Sequence, residues 1–294
     1  MDQSELRELE YQCIQEEWAF CRAACPLHMD VRSMCLALQT KDTPKARAVV
    51  DKTLPVADIL GRICEAPCEA ACKREEAGGA VRIGRLEKYC VRSAPRRGKP
   101  MKVPDRGRKA AVLGCGLSSL TVASDLARKG YRIQVHHQEA EAVTAVSRAL
   151  PQPVPEEIIS QELDYLQRLG VSFQAATLDL NLLQELLSGP APVYVGLEAV
   201  SGAMLTFSLD QIDSQTLATP HEGLFVGGLS AASSPRAIDQ AWQGRVAAVS
   251  MDRVTQKASL SADRGKEGPV PTRLVTSLEG VQEQPPVLPD QLPQ

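Results

Sequence analysis

Eight of the nine cysteines lie within the first ninety residues: Cys13, Cys21, Cys25, Cys35, Cys64, Cys68, Cys72 and Cys90. They form two tight groups, Cys21-Arg-Ala-Ala-Cys25-Pro26 and Cys64-Glu-Ala-Pro-Cys68-Glu-Ala-Ala-Cys72. The rest of the chain is best read outward from this segment. Cysteines with three residues between them, and with proline alongside, suit an iron–sulfur cluster, because a turn or helix start lets several thiolates converge on one cube. The same spacing also admits a zinc site, a disulfide framework or buried thiols. An odd cysteine count in a reducing compartment favours the cluster over disulfides.

Composition narrows the class. A chain of 294 residues is long enough for two domains, one with a sizeable core. A net charge of -3 gives no electrostatic support for nucleic-acid binding, and 4% aromatic content argues against base-stacking platforms. The start, Met1-Asp-Gln-Ser-Glu-Leu-Arg, is charged and amphipathic with no apolar stretch behind it, unlike a signal peptide. The longest apolar-looking run, Ser188 to Phe207, carries Pro190, Pro192, three glycines and Glu198. A membrane span needs about 20 apolar residues able to stay helical. A soluble, cytoplasmic protein is expected.

Residues 1–98 read as a helical unit. Leu6 to Phe20 has helical spacing, interrupted by Pro26 after Cys25, and Val31 to Leu38 makes a second short helix. Thr43-Pro44 starts a third, with Thr43 as its expected cap. Thr53 to Ile63 leads into the second cysteine group, and Ile83 to Val91 forms a helix carrying Glu87. Cys35 and Cys90 read as small buried hydrophobes.

This segment resembles the N-terminal two-cluster domain shared by the glutamate synthase small subunit and dihydropyrimidine dehydrogenase. In that family the first motif runs Cys-x2-Cys-x4-Cys-x3-Cys-Pro, which falls on Cys13, Glu16, Cys21, Cys25 and Pro26. The second matches Gly61-Arg-Ile-Cys64-Glu-Ala-Pro-Cys68-Glu-Ala-Ala-Cys72, followed by Ile83-Gly-Arg-Leu-Glu87. The resemblance implies two [4Fe–4S] clusters. One would take Cys13, Cys21 and Cys72, with Glu16 where the family has cysteine; the other would take Cys25, Cys64, Cys68 and Glu87. A carboxylate is a harder ligand than a thiolate, so Glu16 implies a labile cluster, a shifted potential or an open iron. Glu16 also reads as an ordinary solvated helix residue.

Residues 99–108 are rich in proline, glycine and basic side chains and read as a linker. Residues 109–260 read as a reduced α/β, Rossmann-like unit of the FAD-binding type. Lys109 to Leu113 is a buried strand, Gly114-Cys-Gly116-Leu-Ser-Ser119 a glycine turn opening a helix that ends at Gly130, and Tyr131 to His136 the next strand. Candidate cofactor-binding residues are Gly114, Gly116, Ser119, Glu139, Gly227 and Gly228. Three departures from the family pattern stand out. Ser119 replaces the third glycine, His137 replaces the ribose-binding acid with Glu139 as its nearest substitute, and Leu229 stands where an aspartate would face the flavin. Pro155 to Gly170 reads as a helix, Pro192 to Leu197 as a core strand and Ala232 to Val254 as the closing helix.

Family members insert an NAD(P)H-binding domain between the positions of Leu197 and Leu224. Fewer than thirty residues separate these two here, whereas one βαβ unit needs about 30 or more. No direct NAD(P)H site is therefore expected. Residues 261–294 form a proline-rich tail expected to be extended, and its early stop suggests an accessory subunit. The leading expectation is an iron–sulfur electron-transfer subunit, partnered with other redox subunits in a hetero-oligomeric complex. The alternatives are a FAD-containing oxidoreductase subunit and a structural or assembly subunit with an empty flavin fold. His28, His136, His137 and His221 stand in no recognisable catalytic arrangement.

Overall fold

A computed structural model describes residues 2–5, 17–95, 104–199, 204–228 and 236–286. The first unit is built of short helices because its sequence is punctuated every few residues by proline, cysteine or a capping acid. Helix α1 (Phe20–Ala24) stops at Cys25, ahead of Pro26. Helix α2 (Val31–Gln39) is capped by Asp30, whose side chain accepts the Ser33 N–H. Helix α3 (Thr43–Thr53) is capped by Asp42 and not by Thr43 as expected; the Asp42 carboxylate accepts the Lys45 N–H, and Thr43 is already helical. Helix α4 (Ala57–Ile63) is separated from α3 by Pro55 and by Val56 at φ 41. Two 3-10 turns, Pro67–Ala71 and Lys73–Ala77, precede helix α5 (Ile83–Ser93). Of the helix expected over Leu6 to Phe20, residues 6–16 lie outside the described residues, and residues 17–19 are not helical.

The second unit is a five-stranded, all-parallel sheet: β1 (Lys109–Leu113), β2 (Arg132–His137), β3 (Val171–Ala175), β4 (Val193–Gly196) and β5 (Leu224–Gly227), in the order β3-β2-β1-β4-β5. Strands β1 and β4 read as continuous apolar runs because helices cover both faces. Leu113 stands in register with both His136 of β2 and Val195 of β4. Chain order reverses between β1 and β4, and in such sheets the ligand crevice lies beyond the strand ends at that point. The helices are α6 (Leu117–Arg128), α7 (Ala142–Ala149), α8 (Glu156–Leu169), α9 (Leu180–Leu187) and α10 (Ala237–Thr255). Between β4 and β5 the described residues form two 3-10 turns, Leu197–Ala199 and Leu209–Gln211.

Helix α10 lies close against α6. A Cβ on Gly244 would meet the Ser118 carbonyl oxygen and would stand 2.7 Å from the Thr121 Cβ, so only glycine permits this approach. One apolar core runs through both units. Polar contacts join them as well: the Asp58 N–H donates to Glu162 Oε2 at 2.9 Å, and Arg245 Nη2 to the Thr53 carbonyl at 3.0 Å. Residues 261–286 contain no helix or strand; Arg264 is buried against α10, donating to the Val246 carbonyl and to Ser250 Oγ, and later residues contact the first unit. The Val270 N–H donates to the Ala23 carbonyl at 2.9 Å, Arg273 pairs with Glu17 at 2.7 Å, and Arg74 donates to the Gln284 carbonyl at 2.6 Å. Among the described residues no helix is long and apolar enough to cross a membrane.

Candidate functional site

The second cysteine group is positioned by chain reversals. Cys64 caps the C-terminus of α4, Cys68 lies within the first 3-10 turn, and Cys72 joins that turn to the next. Ala66 sits between Cys64 and Cys68 at φ 47, a left-handed conformation that alanine adopts only at a cost. The Ala66 N–H consequently points at Cys64 Sγ, 3.4 Å away. Cys25, at the end of α1, and Glu87, midway along α5, face the same interior.

Cys25, Cys64, Cys68 and Glu87 sense one another. Burial raises the pKa of all three thiols, and the Glu87 charge raises each further. Glu87 is only 3% exposed, and its Oε2 is buried without a hydrogen-bond partner. Burial, helped by the Glu69 charge, lifts its carboxyl to about 8. Native proteins rarely leave a buried polar atom unsatisfied without a role for it. Three thiols and one carboxyl oxygen around a common interior form a donor set that fits a [4Fe–4S] cluster, whose iron would complete the missing contact.

Cys21 and Cys72 make the core of the other group. Burial raises Cys21, and Cys72 adds to the effect. The Val81 N–H donates to Cys72 Sγ at 3.4 Å. Cys13 and Glu16 lie outside the described residues. Cys35, expected as a small buried hydrophobe, is half-buried and faces this group: burial, then Cys21 and Cys72, push it up to about 11. Cys90 is fully buried, as expected of a packing residue, and burial together with Glu87 pushes it up to about 12. The eight described cysteines are all free thiols. Among the described residues no three His, Cys, Asp or Glu side chains stand close enough to hold a single metal ion. A cube binds its ligands through separate irons and so needs wider spacing than one tetrahedral zinc.

The glycine turn after β1 presents a different picture. Gly114 (φ 109) and Gly116 bring the backbone to the N-terminus of α6, as a dinucleotide turn requires. That place is filled by the chain itself. Glu198 Oε1 accepts the Gly116 N–H at 2.6 Å and the Ser119 hydroxyl at 2.8 Å. A Cβ on Gly114 would lie 2.8 Å from the same oxygen, and one on Gly116 would lie 2.5 Å from Glu198 Cδ. Gly228 also faces this carboxylate, with its Cβ direction 3.3 Å from Glu198 Oε2, whereas Gly227 faces the Tyr194 ring and Leu217. Glu139 forms an ion pair with Arg148, and His137 Nδ1 contacts the Glu139 carbonyl at 3.0 Å. Leu229 lies outside the described residues. The remaining cleft beside the turn holds about 250 Å³, against roughly 300–1,000 Å³ for ordinary ligand pockets. These residues do not fit a dinucleotide cofactor as they stand.

Sequence reasoning missed Glu198. Its only signal is a lone acid two residues after the apolar Val-Tyr-Val-Gly of β4. The histidines serve packing and local bonds. His136 and His137 are buried, His28 contacts the Arg22 and Lys266 carbonyls against Trp18, and His221 meets Thr206 at the surface.

Comparison with known proteins bears on the first unit most directly. Residues 2–99 match the family model described as dihydropyrimidine dehydrogenase domain II, 4Fe-4S cluster. UacF of Escherichia coli, which carries an oxidoreductase name, is 31% identical over 163 residues, covering 53% of this chain and 26% of the relative. The NADP(+)-dependent formate dehydrogenase subunit beta of Moorella thermoacetica is 25% identical over 182 residues, 53% of this chain and 26% of its own. The glutamate synthase [NADPH] small chain of Escherichia coli is 25% identical over 186 residues, 60% of this chain and 39% of its own. The resemblance seen in the cysteine motifs therefore holds over about half of the chain. The matched part spans about a quarter of the first of these relatives.

Proposed function

We propose that the chain is an iron–sulfur electron-transfer subunit of a larger oxidoreductase. Cys25, Cys64, Cys68 and Glu87 would hold one [4Fe–4S] cluster, and Cys13, Glu16, Cys21 and Cys72 the other. The observation that carries this reading is the buried, unpartnered Glu87 Oε2 beside the buried thiols of Cys25 and Cys68 and the half-buried thiol of Cys64, in a segment that matches a 4Fe-4S domain. Bound clusters of this type supply one-electron storage and outer-sphere transfer, with a potential set by ligand type, burial and hydrogen bonds to sulfur.

The chain's own residues set those conditions. Burial excludes water from Cys25, Cys68 and Glu87, and the Ala66 and Val81 N–H groups point at ligand sulfurs. No proton donor, base or nucleophile is required. The names of the relatives, a subunit beta and a small chain, support partner subunits as donor and acceptor. Free thiols in such number suit a reducing, cytoplasmic setting. The short β4–β5 connection supports the absence of a nicotinamide-binding unit, and the filled glycine turn speaks against the FAD-containing alternative.

Anaerobic purification with iron and sulfide analysis tests the proposal. About eight irons per chain are expected, with two EPR signals on reduction. About four would place Glu16 outside the ligand set; iron near zero would refute the electron-transfer role and leave the structural reading. Glu87→Ala should abolish one signal and leave the other.

A further inference from the structure

The N-terminus of a helix such as α6 carries unsatisfied N–H groups and a partial positive charge, so it attracts an anion. Helix α6 has no acid in its first turn, and its cap, Gly116, has no side chain to offer. In dinucleotide-binding folds the cofactor's pyrophosphate supplies the missing negative charge. Here β4 delivers Glu198 to that position from the strand adjacent to β1.

We propose that Glu198 is a built-in substitute for the pyrophosphate: its carboxylate occupies the anion seat of the glycine turn and keeps this unit free of flavin and of any other dinucleotide. Space, contacts and sequence converge on this. The carboxylate fills the volume that bare Gly114, Gly116, Gly196 and Gly228 leave open. It takes a backbone N–H of the turn as a phosphate oxygen would. Ser119, which breaks the glycine fingerprint, is the residue whose hydroxyl completes the seat. Two departures, a serine for glycine and an acid after β4, thus become one contact. Glu198 as a residue is exposed beside the cleft, while protein packed around its carboxylate raises the pKa against the opposing pull of Ser119 and Gly116.

A seat that is always occupied costs no ligand and needs no loading step. The sheet unit then acts as the scaffold that holds α8 and α10 against the cysteine-bearing helices.

The test uses the full chain with inorganic pyrophosphate and FAD as probes. Wild-type protein should retain no FAD after gel filtration, and millimolar pyrophosphate should leave its melting temperature unchanged. Glu198→Gly and Glu198→Ala empty the seat and should bind pyrophosphate at least about tenfold more tightly than wild type, read as a ligand-dependent rise in melting temperature. Stoichiometric FAD in the wild type would overturn the proposal without reference to any variant. So would folded Glu198→Gly or Glu198→Ala protein that binds pyrophosphate no better than wild type. Both readouts are independent of iron content, so they separate this inference from the electron-transfer reading.

Discussion

Arg47 is the polar anchor of the cysteine-bearing unit, and its removal has a calculable outcome. The side chain is 2% exposed and lies where α3, α4 and α5 meet. Its guanidinium donates to Asp51 Oδ1 at 3.0 Å, to both Asp58 oxygens at 2.9 and 2.8 Å, and to the Val91 and Ala94 carbonyls at 3.1 and 3.2 Å. Asp58 in turn receives Arg62 at 3.8 Å and donates its N–H to Glu162 of the sheet unit. In Arg47→Met the apolar stem is kept and the charge lost. Breaking a buried ion pair costs about 3–5 kcal/mol, mostly because one charge is stranded. Asp58 is 18% exposed and keeps Arg62, so the lower end applies: about 3 kcal/mol. Domains hold roughly 5–15 kcal/mol in all, so the variant should fold but unfold at clearly lower urea. Since α5 carries Glu87, iron per chain should fall as well. Adding Asp58→Asn neutralises the stranded carboxylate and should recover about 1–2 kcal/mol. Urea unfolding followed by far-UV circular dichroism measures both. A loss below about 1 kcal/mol, or no recovery in the double variant, would refute the buried-charge explanation.

Three further outcomes are expected. Cys68→Ser should remove about half of the iron while Cys35→Ser keeps all of it, as plasma emission analysis of both proteins would show; equal losses would make Cys35 a ligand. Gly244→Ala should lower the melting temperature, because overpacking costs about 1–3 kcal/mol and exceeds the gain of up to about 1 kcal/mol in helix propensity. Asp252 is held by Lys129 at 2.6 Å and Tyr131 at 2.8 Å. Burial acts to raise its pKa, yet these hydrogen bonds and the Lys129 charge outweigh it and the net shift is downward. A depressed carboxylate contributes stability above its ordinary pKa of about 3.9, lost as pH falls through the folded value. Asp252→Asn should therefore cost about 1–2 kcal/mol at neutral pH, with the difference from wild type vanishing in acid melts.

The sequence by itself determined many of the elements and the iron–sulfur reading of the cysteines, though not the helices Ala142–Ala149 and Leu180–Leu187. Lys109–Leu113 was legible as a buried strand because every residue after the first is apolar, and Ile83 to Val91 was legible as a helix, which the fold extends to Ser93. Thiol spacing carried the iron–sulfur reading because ligand groups on short turns are local, and a family comparison over residues 2–99 agrees. Caps were less legible: Asp42 and Thr43 are both good caps, and in the fold it is Asp42 whose side chain accepts the Lys45 N–H.

Tertiary structure alone decided what lies between elements. Nothing local announces that Arg47 would join three helices, or that Cys35 would turn toward Cys21 and Cys72. The glycine turn shows the difference most clearly. Gly114, Gly116 and Ser119 were readable as a worn dinucleotide fingerprint, but its occupant comes from 79 residues beyond Ser119. Only the parallel pairing of β1 with β4 brings Glu198 to the α6 N-terminus, because an anion seat depends on which strand ends beside it and not on the motif that forms it.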